Sequence, residues 1–592
     1  MKKTAKIVSA ALALAMCCSL LPACGNGGDG NIDFGNGGKP VITDEISVQF
    51  WAPVDNRSAD VYQELVDTFN AQHEGEISVR LVRRSSGFDA SLSSTLQGSN
   101  APGIVVVSDQ YIKTYIVSGL LEQFDAEGKY LSNENWTEKN QDGTPVLDLS
   151  DMRTNDLLHF RYDAETYRIY EDAPLYGIPL MNCPTTLFYN KTSFTAQGVN
   201  IISVAEDDLE DYNGANGTSF LPHGYYEYTE APAQGLTQTN GVYRVFNDKI
   251  SLNFEETVQL SRLFTSSGDN KTYGFLTEWW FSHGWSVGGD CIEWDEDAGK
   301  YVFTLGDDTP NYLVTDPEGL TVRETSYAAG DILSYNDKLS LSSSQIENYI
   351  AEETLYELPS QRDAFTEFCR LSQTSDKTVD GAGTEGYDVS PGPATLRDTS
   401  KMQYFTSGNV AMVSLEASAA PQIDELATFE WGVAPLQQWR EYNADGTLKT
   451  VNGTPVVGKR AGHNILSSYC IPSNISENKK YAAWKFIEYA ASLEGQKILA
   501  EMNMGVPNQV SYSNSEEYLN SSDAIYDRSV LVSYTDGFTM GDWSYLEDKA
   551  WIDPWANILN SDVRNGSMQL GEFFDLVEDD ANAALSGYRT QA

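Results

Sequence analysis

The feature that most constrains this chain is the alternation of two hydrophobic periods between residues 46 and 121. Ile46, Val48 and Phe50 alternate with polar residues, which predicts a half-buried strand ending at Trp51. Val61, Leu65, Val66 and Phe69 then recur at helical spacing behind the candidate caps Ser58 and Asp60. Ile77, Val79 and Leu81 predict a second strand, residues 88–96 a helix, and Ala101, Pro102 and Gly103 a turn. Residues 104–107 are apolar without interruption, as in a central parallel strand covered on both faces, and a helix is expected from about Tyr111 to Leu121. Two consecutive strand–helix units select an open α/β sheet with right-handed crossovers. Ligands of such sheets gather beyond the carboxyl ends of the strands, here the loops 52–57 and 108–111.

Further strands are expected at residues 185–189, 410–414, 431–434 and 465–471, with helices at 401–406, 476–491 and 493–502. A last amphipathic helix carries Leu570, Phe573, Phe574, Val577, Ala581 and Leu585 on one face. The middle, from about 194 to 395, mixes helix signals with acidic, Gly-rich and Tyr-rich loops. Within it Asp295, Glu296, Asp297 and Gly299, between Trp294 and Tyr301, read as a hairpin turn. They are not an EF-hand loop, because the glycine stands at the fifth position and no Glu follows at the required distance. With 592 residues, 41% of them hydrophobic and 11% aromatic, the chain is long enough for two or more packed lobes.

The first 23 residues read as a signal peptide. Lys2, Lys3 and Lys6 precede an apolar run of 15 residues, Ile7 to Leu21, which is shorter than the roughly 18 to 20 a membrane-spanning helix needs. Leu21, Pro22, Ala23 and Cys24 resemble a bacterial lipobox with Cys24 as the lipidated residue; an ordinary secretory cleavage near Ala23 is the alternative. Both place the protein outside the cytoplasm. Residues 24–45 then form a tether. Seven of the 15 residues from Gly25 to Lys39 are Gly, which predicts a flexible coil with a reach of roughly 20 Å.

Removing the three signal lysines from the 39 Lys and Arg leaves 36 basic residues against 85 acidic ones, a net charge of −49. This argues against nucleic acid and anionic lipid headgroups as partners, since both need basic patches. Cys183, Cys291, Cys369 and Cys470 are far apart, so long-range disulfides and buried free thiols both remain open, and no CxxC pair suggests zinc. The five His residues show no HxH or HExxH spacing, and there is no GxSxG elbow or phosphate loop. No metal and no cofactor are called for.

Five segments together resemble the extracellular solute-binding proteins of ABC importers, specifically the carbohydrate-type family that includes maltose-binding protein. They are residues 48–51 with the helix around 62–69; residues 101–109 running on to Ser118, Gly119, Leu120 and Leu121; Leu175 to Pro179 with Thr186 to Phe194; Phe405 to Val413; and Ala482 to Gln496. The chain is longer than a typical member, with the excess between about 200 and 386. The resemblance implies a type II periplasmic-binding-protein-like α/β fold, each lobe a sheet flanked by helices, the two joined by a hinge. Lobe one is placed at 46–185 and 396–465, and lobe two at 186–395 and 466–592. It further implies a monomer that takes an oligosaccharide between its lobes and delivers it to the transmembrane subunits of a permease, doing no chemistry itself. A cell-surface glycan hydrolase and a receptor for a non-sugar solute are the alternatives.

Sugar sites combine flat aromatic platforms with carboxylates, amides and Arg. The resemblance places stacking aromatics at Trp279, Trp280 and Trp285, ahead of Gly288, Gly289 and Asp290, and in a later group of Trp543, Trp551 and Trp555. Polar candidates are Asp55, Asn56 and Arg57 after Trp51 at the end of the first strand, and Asp109, Gln110 and Tyr111 after the buried strand. Asn182 and Thr185 at the crossover, Glu416, and Asn464 complete the set. Asp109 also reads as a helix N-cap, and Asn182 and Thr185 as hinge packing.

Overall fold

The computed structural model describes residues 29–35, 39–55, 58–268, 270–277, 280–396, 400–533 and 538–588. Two α/β lobes face each other. The sheet of the first has the order Ile77–Arg84, Ile46–Pro53, Ile104–Ser108, Ser467–Cys470 and Ile178–Pro179. Its first three strands are parallel, and Ser467–Cys470 runs antiparallel to both neighbours. Ile104, Val105, Val106 and Val107 are all buried, as their uninterrupted apolar run requires. The Ala59–Gln72 helix covers the sheet with Tyr62, Leu65, Val66 and Phe69, a face set by the 3.6-residue period. Residues 88–96, expected as one helix, are a 3-10 turn at Phe88–Ser91 followed by a short helix at Ser93–Gln97.

The second sheet has the order Tyr273–Leu276, Val410–Glu416, Thr185–Asn190 and Trp431–Ala434. Thr185–Asn190 is antiparallel to both neighbours, and all six of its residues are buried. This pairing corrects the expected lobe boundaries. Residues 410–434 belong to the second sheet, with Met412 opposite Tyr189 and Val433 opposite Phe188. Residues 466–502 belong instead to the first lobe, where Trp484 packs against Phe124 and Tyr130. Both segments carry similar local strand and helix periods, so periodicity alone could not say which sheet each completes.

The chain returns to the second lobe. Residues 506–531 pack beneath its sheet with Phe188 and Phe405, and residues 546–588 close its other face. The Leu570–Leu585 helix buries the face read from sequence, with Phe573 and Leu585 fully enclosed. The expected hairpin forms from Ile292–Asp295 and Lys300–Phe303. Cys183, Cys291, Cys369 and Cys470 are free thiols, and burial pushes Cys183 up to about 11 and Cys470 to about 12.

Part of the expected coil is folded. Asn31–Asp33 pairs with Val41–Asp44, Ile32 is buried, and the Phe34 ring stacks on Trp136 at 5.8 Å. These two apolar side chains in a glycine-rich stretch find an aromatic groove that also includes Tyr481. The signal segment and Cys24 lie outside the described residues.

Candidate functional site: the cleft between the lobes

The two lobes are joined by buried crossovers. Asn464 Oδ1 accepts from Cys183 N at 3.0 Å, Thr185 Oγ1 donates to the His463 carbonyl at 2.6 Å, and Asn182 exchanges backbone bonds with Val506 at 2.8 and 2.7 Å. One carboxylate clips two of these segments together: Asp156 Oδ1 accepts from Asn182 Nδ2 at 2.6 Å and from Asn464 Nδ2 at 2.9 Å. Burial raises the Asp156 pKa, opposed by the charges of Arg153 and His159 and by these amides. Asn182, Thr185 and Asn464 are thus placed in the hinge, and Glu416 stands opposite Thr185 in register at the strand end.

Beside the hinge lies a cavity of about 530 Å³, within the range of roughly 300–1,000 Å³ for small-ligand sites. The first lobe contributes Asn155, Leu158, His159 and Ile169. The second contributes Trp285, Asp290, Glu293, Trp294, Tyr301, Lys459, Met540 and Tyr545, among others. A larger groove of about 1220 Å³ is lined mainly by first-lobe residues within 138–151 and 485–497, with Gln509 and Ser511 at its edge. The cavity lined by both lobes, beside the crossovers, is the functional candidate.

Local structure explains the lining. The Phe281–Val287 helix ends at Gly288, whose φ of +90° is the left-handed C-terminal turn that glycine adopts without strain. A Cβ at Gly288 would meet Ile332 Cγ2 at 2.5 Å, and one at Gly289 would meet Gln361 Oε1 at 2.5 Å. This close turn sends the chain past Trp285 to Asp290, which accepts from Tyr545 Oη at 2.9 Å and from Cys291 N at 2.7 Å. The hairpin then sets Trp294 edge-on to Tyr301 at 5.1 Å, and Arg168 of the first lobe lies 5.0 Å over the Trp294 ring. Burial, with the Asp290 charge beside it, pushes the Glu293 carboxyl up to about 8 against the pull of Lys338 and Lys459.

Two polar atoms of cavity-lining residues, one from each lobe, are buried without a hydrogen-bond partner among the described residues: Trp285 Nε1 and His159 Nε2. The other ring nitrogen of His159 is fixed, with Nδ1 2.8 Å from Asp109 Oδ2, and Lys113 Nζ donates to the His159 carbonyl at 3.3 Å. Burial lowers Lys113 to about 8, partly offset by Asp109.

Around the cavity the lobes touch directly. Thr114 Oγ1 donates to the Glu547 carbonyl at 2.7 Å, Tyr162 Oη to Glu547 Oε2 at 3.0 Å, and Tyr301 Oη to the Tyr167 carbonyl at 3.3 Å. With its amide turned to satisfy its neighbours, Gln110 accepts from Trp543 Nε1 at 3.1 Å and Lys549 Nζ at 3.2 Å, and donates to Tyr111 Oη at 3.1 Å. The arrangement is closed.

Of the residues singled out in the sequence, Trp285 and Asp290 line the cavity. Asp109 stands behind it through His159, and Gln110, Tyr111 and Trp543 lie in the closed interlobe contact. Trp280 points its Nε1 at Cys291 Sγ at 3.2 Å, with its ring against Trp543 and Trp555. Trp551 and Trp555 are fully buried in the core of the second lobe, which corrects their reading as stacking platforms. Trp51 and Asp55 do not line the cavity: the Arg84 guanidinium covers the Trp51 ring at 3.3 Å, and Asp55 is held by Ser58 N and Oγ at 2.8 and 2.9 Å. Asn56, Arg57, Trp279 and Cys24 lie outside the described residues. Sequence reasoning missed His159, Glu293, Trp294 and Tyr301. The signal for the hairpin residues is the pair of aromatics flanking the acidic turn, whereas His159 has no local signal, since its partner Asp109 lies 50 residues away in the chain.

Two α/β lobes joined by several crossovers, closed over a polar and aromatic cavity, define a protein that clasps a ligand between domains. The chain belongs to the bacterial extracellular solute-binding protein family, whose model matches residues 64–322 and 364–524. The fold is similar to that of the ABC substrate-binding protein Lmo0181 from Listeria monocytogenes, solved in complex with cycloalternan. That match has 14% identity and a TM-score of 0.52, covering 92% of this chain and 99% of the other. UgpB from Mycobacterium tuberculosis, in complex with glycerophosphocholine, matches at 13% identity and a TM-score of 0.50, over 91% and 98%. Maltose-bound MalE3 of T. maritima matches at 11% identity and a TM-score of 0.50, over 91% and 100%. No curated protein matches the sequence. At these identities the likeness is one of fold.

Proposed function

We propose that the protein is the capture component of an ABC importer that binds an oligosaccharide between its lobes and passes it, intact, to a membrane permease. In this reading it is a monomer held at the outer face of the cell membrane by lipid on Cys24. The interlobe cavity carries the proposal. Trp285, Trp294, Tyr301 and Tyr545 supply apolar ring surface, Asp290 and Asn155 supply hydrogen bonds, and Trp285 Nε1 and His159 Nε2 are buried polar atoms awaiting a partner. Leaving such groups unpaired costs roughly 1–3 kcal/mol each, and a sugar hydroxyl can donate and accept at once. Family membership supports solute capture, and the sugar-bound state of Lmo0181 and MalE3 favours a carbohydrate as the solute.

A thermal-shift screen of the mature protein against a glycan panel, with ligand integrity checked by chromatography, tests this. A stabilising shift with uncleaved glycan is expected. Cleavage of the glycan would make the protein a hydrolase, and a shift only with non-sugar solutes would overturn the carbohydrate assignment.

A further inference from the structure

Asp290 and Glu293 stand three residues apart on one wall of the cavity, at the entry to the hairpin. Asp290 is already engaged by Tyr545 and Cys291. Glu293 takes no hydrogen bond or ion pair from the described residues, and the neighbouring cations do not reach it. Lys338 is committed to Asp307 at 2.9 Å and Asn311 at 3.0 Å, while Lys459 is exposed at the rim. Asp307 and Tyr335 are the other titratable groups on that side, and Tyr301 and Arg168 those on the cavity side. With its pKa pushed up to about 8 by burial and by Asp290, Glu293 is mostly a neutral acid at neutral pH.

An aromatic wall that also holds one carboxylate and a second, unpartnered carboxyl offers most to a cation. The ammonium gains coulombic attraction from Asp290, from Glu293 once it ionises, and from the ring faces, while a neutral ligand leaves Glu293 protonated and gains none of this. Trp285 Nε1 and His159 Nε2, buried and unpaired on the same cavity, mark it as a ligand site independently of the acids.

We propose that the cavity selects sugars carrying a protonated amino group, with Asp290 and Glu293 as its counter-charges, an inference that rests on the carbohydrate reading above. Calorimetric titration at pH 6.5 in two buffers of different ionisation enthalpy tests it, with glucosamine oligosaccharides, their N-acetylated counterparts and glucose oligosaccharides as probes. The amine forms should bind about tenfold or more tightly than the other two, a difference of about 1.4 kcal/mol. Each should release close to one proton as Glu293 ionises, and the neutral sugars should release none. Glu293→Gln should abolish the proton release and most of the preference. Equal or tighter binding of the neutral sugars, or amine binding without proton release, would overturn the inference and leave the carbohydrate reading standing. Failure of every sugar to bind would overturn both.

Discussion

Trp285 and Trp555 are both second-lobe tryptophans with an unpaired buried Nε1, yet they face different surroundings. Trp285 borders the cavity, so its N–H can find a partner in a ligand; Trp555 is enclosed by Trp551, Trp280, Phe303 and Phe573. Trp285→Phe keeps a ring and removes the donor, and should weaken ligand binding by about tenfold with little change in melting temperature. Trp555→Ala should instead cost about 3–5 kcal/mol of stability, read from urea denaturation. A second residue-scale consequence concerns His463, beside the hinge. Burial holds its pKa down at about 3, with Asp109 opposing. The unfolded imidazole titrates near its ordinary 6.5, so between about pH 3 and 6.5 the unfolded state binds the extra proton. Stability should therefore rise with pH across that window, by up to roughly 1.4 kcal/mol per unit, and be flat above it. In His463→Phe the acid limb of a stability-against-pH curve should be shallower. An unchanged slope would place the titration elsewhere.

At the scale of single elements, the Leu570–Leu585 helix is the clearest case of structure written in a local pattern. Phe573 is fully buried while Leu576, three residues on, is 53% exposed. Phe573→Ala should cost about 3–5 kcal/mol, and Leu576→Ala should fall within roughly 0.5 kcal/mol of wild type, both measured by chemical denaturation. Elements of this kind were legible because a period of 2 or 3.6 records which face meets the core. The strand expected at residues 46–51 carries that alternation, whereas the strand expected at 104–107 is legible as an uninterrupted apolar run. Assignment of elements to lobes was not legible: Val410–Glu416 and Ser467–Cys470 are both short buried strands, and which sheet each joins depends on pairing partners far away in the chain. The site was legible in part. Gly288 and Gly289 announced the turn that delivers Trp285 and Asp290, whereas His159 meets Asp109 across 50 residues of chain and Asp156 meets Asn464 across 308.

At the scale of the whole molecule, capture depends on closure and on place. The proposed lipid on Cys24 fixes the place: Cys24→Ser should release the protein into the medium, seen by fractionating cells, with sugar affinity unchanged. Closure is held by bonds that exist only when the lobes meet, and the Tyr162 to Glu547 bond is one that a single atom can remove. In the open form both groups would exchange this bond for water, so its net contribution to closing is about 0.5–1.5 kcal/mol. Tyr162→Phe lowers the closed population by that amount and leaves the encounter surface intact. Ligand should then associate at the wild-type rate and dissociate roughly 2- to 10-fold faster, as a shift in the population of the binding-competent state requires. Stopped-flow tryptophan fluorescence separates the two rates. Slower association with unchanged dissociation would mean that the Tyr162 contact guides ligand entry rather than holding the lobes shut.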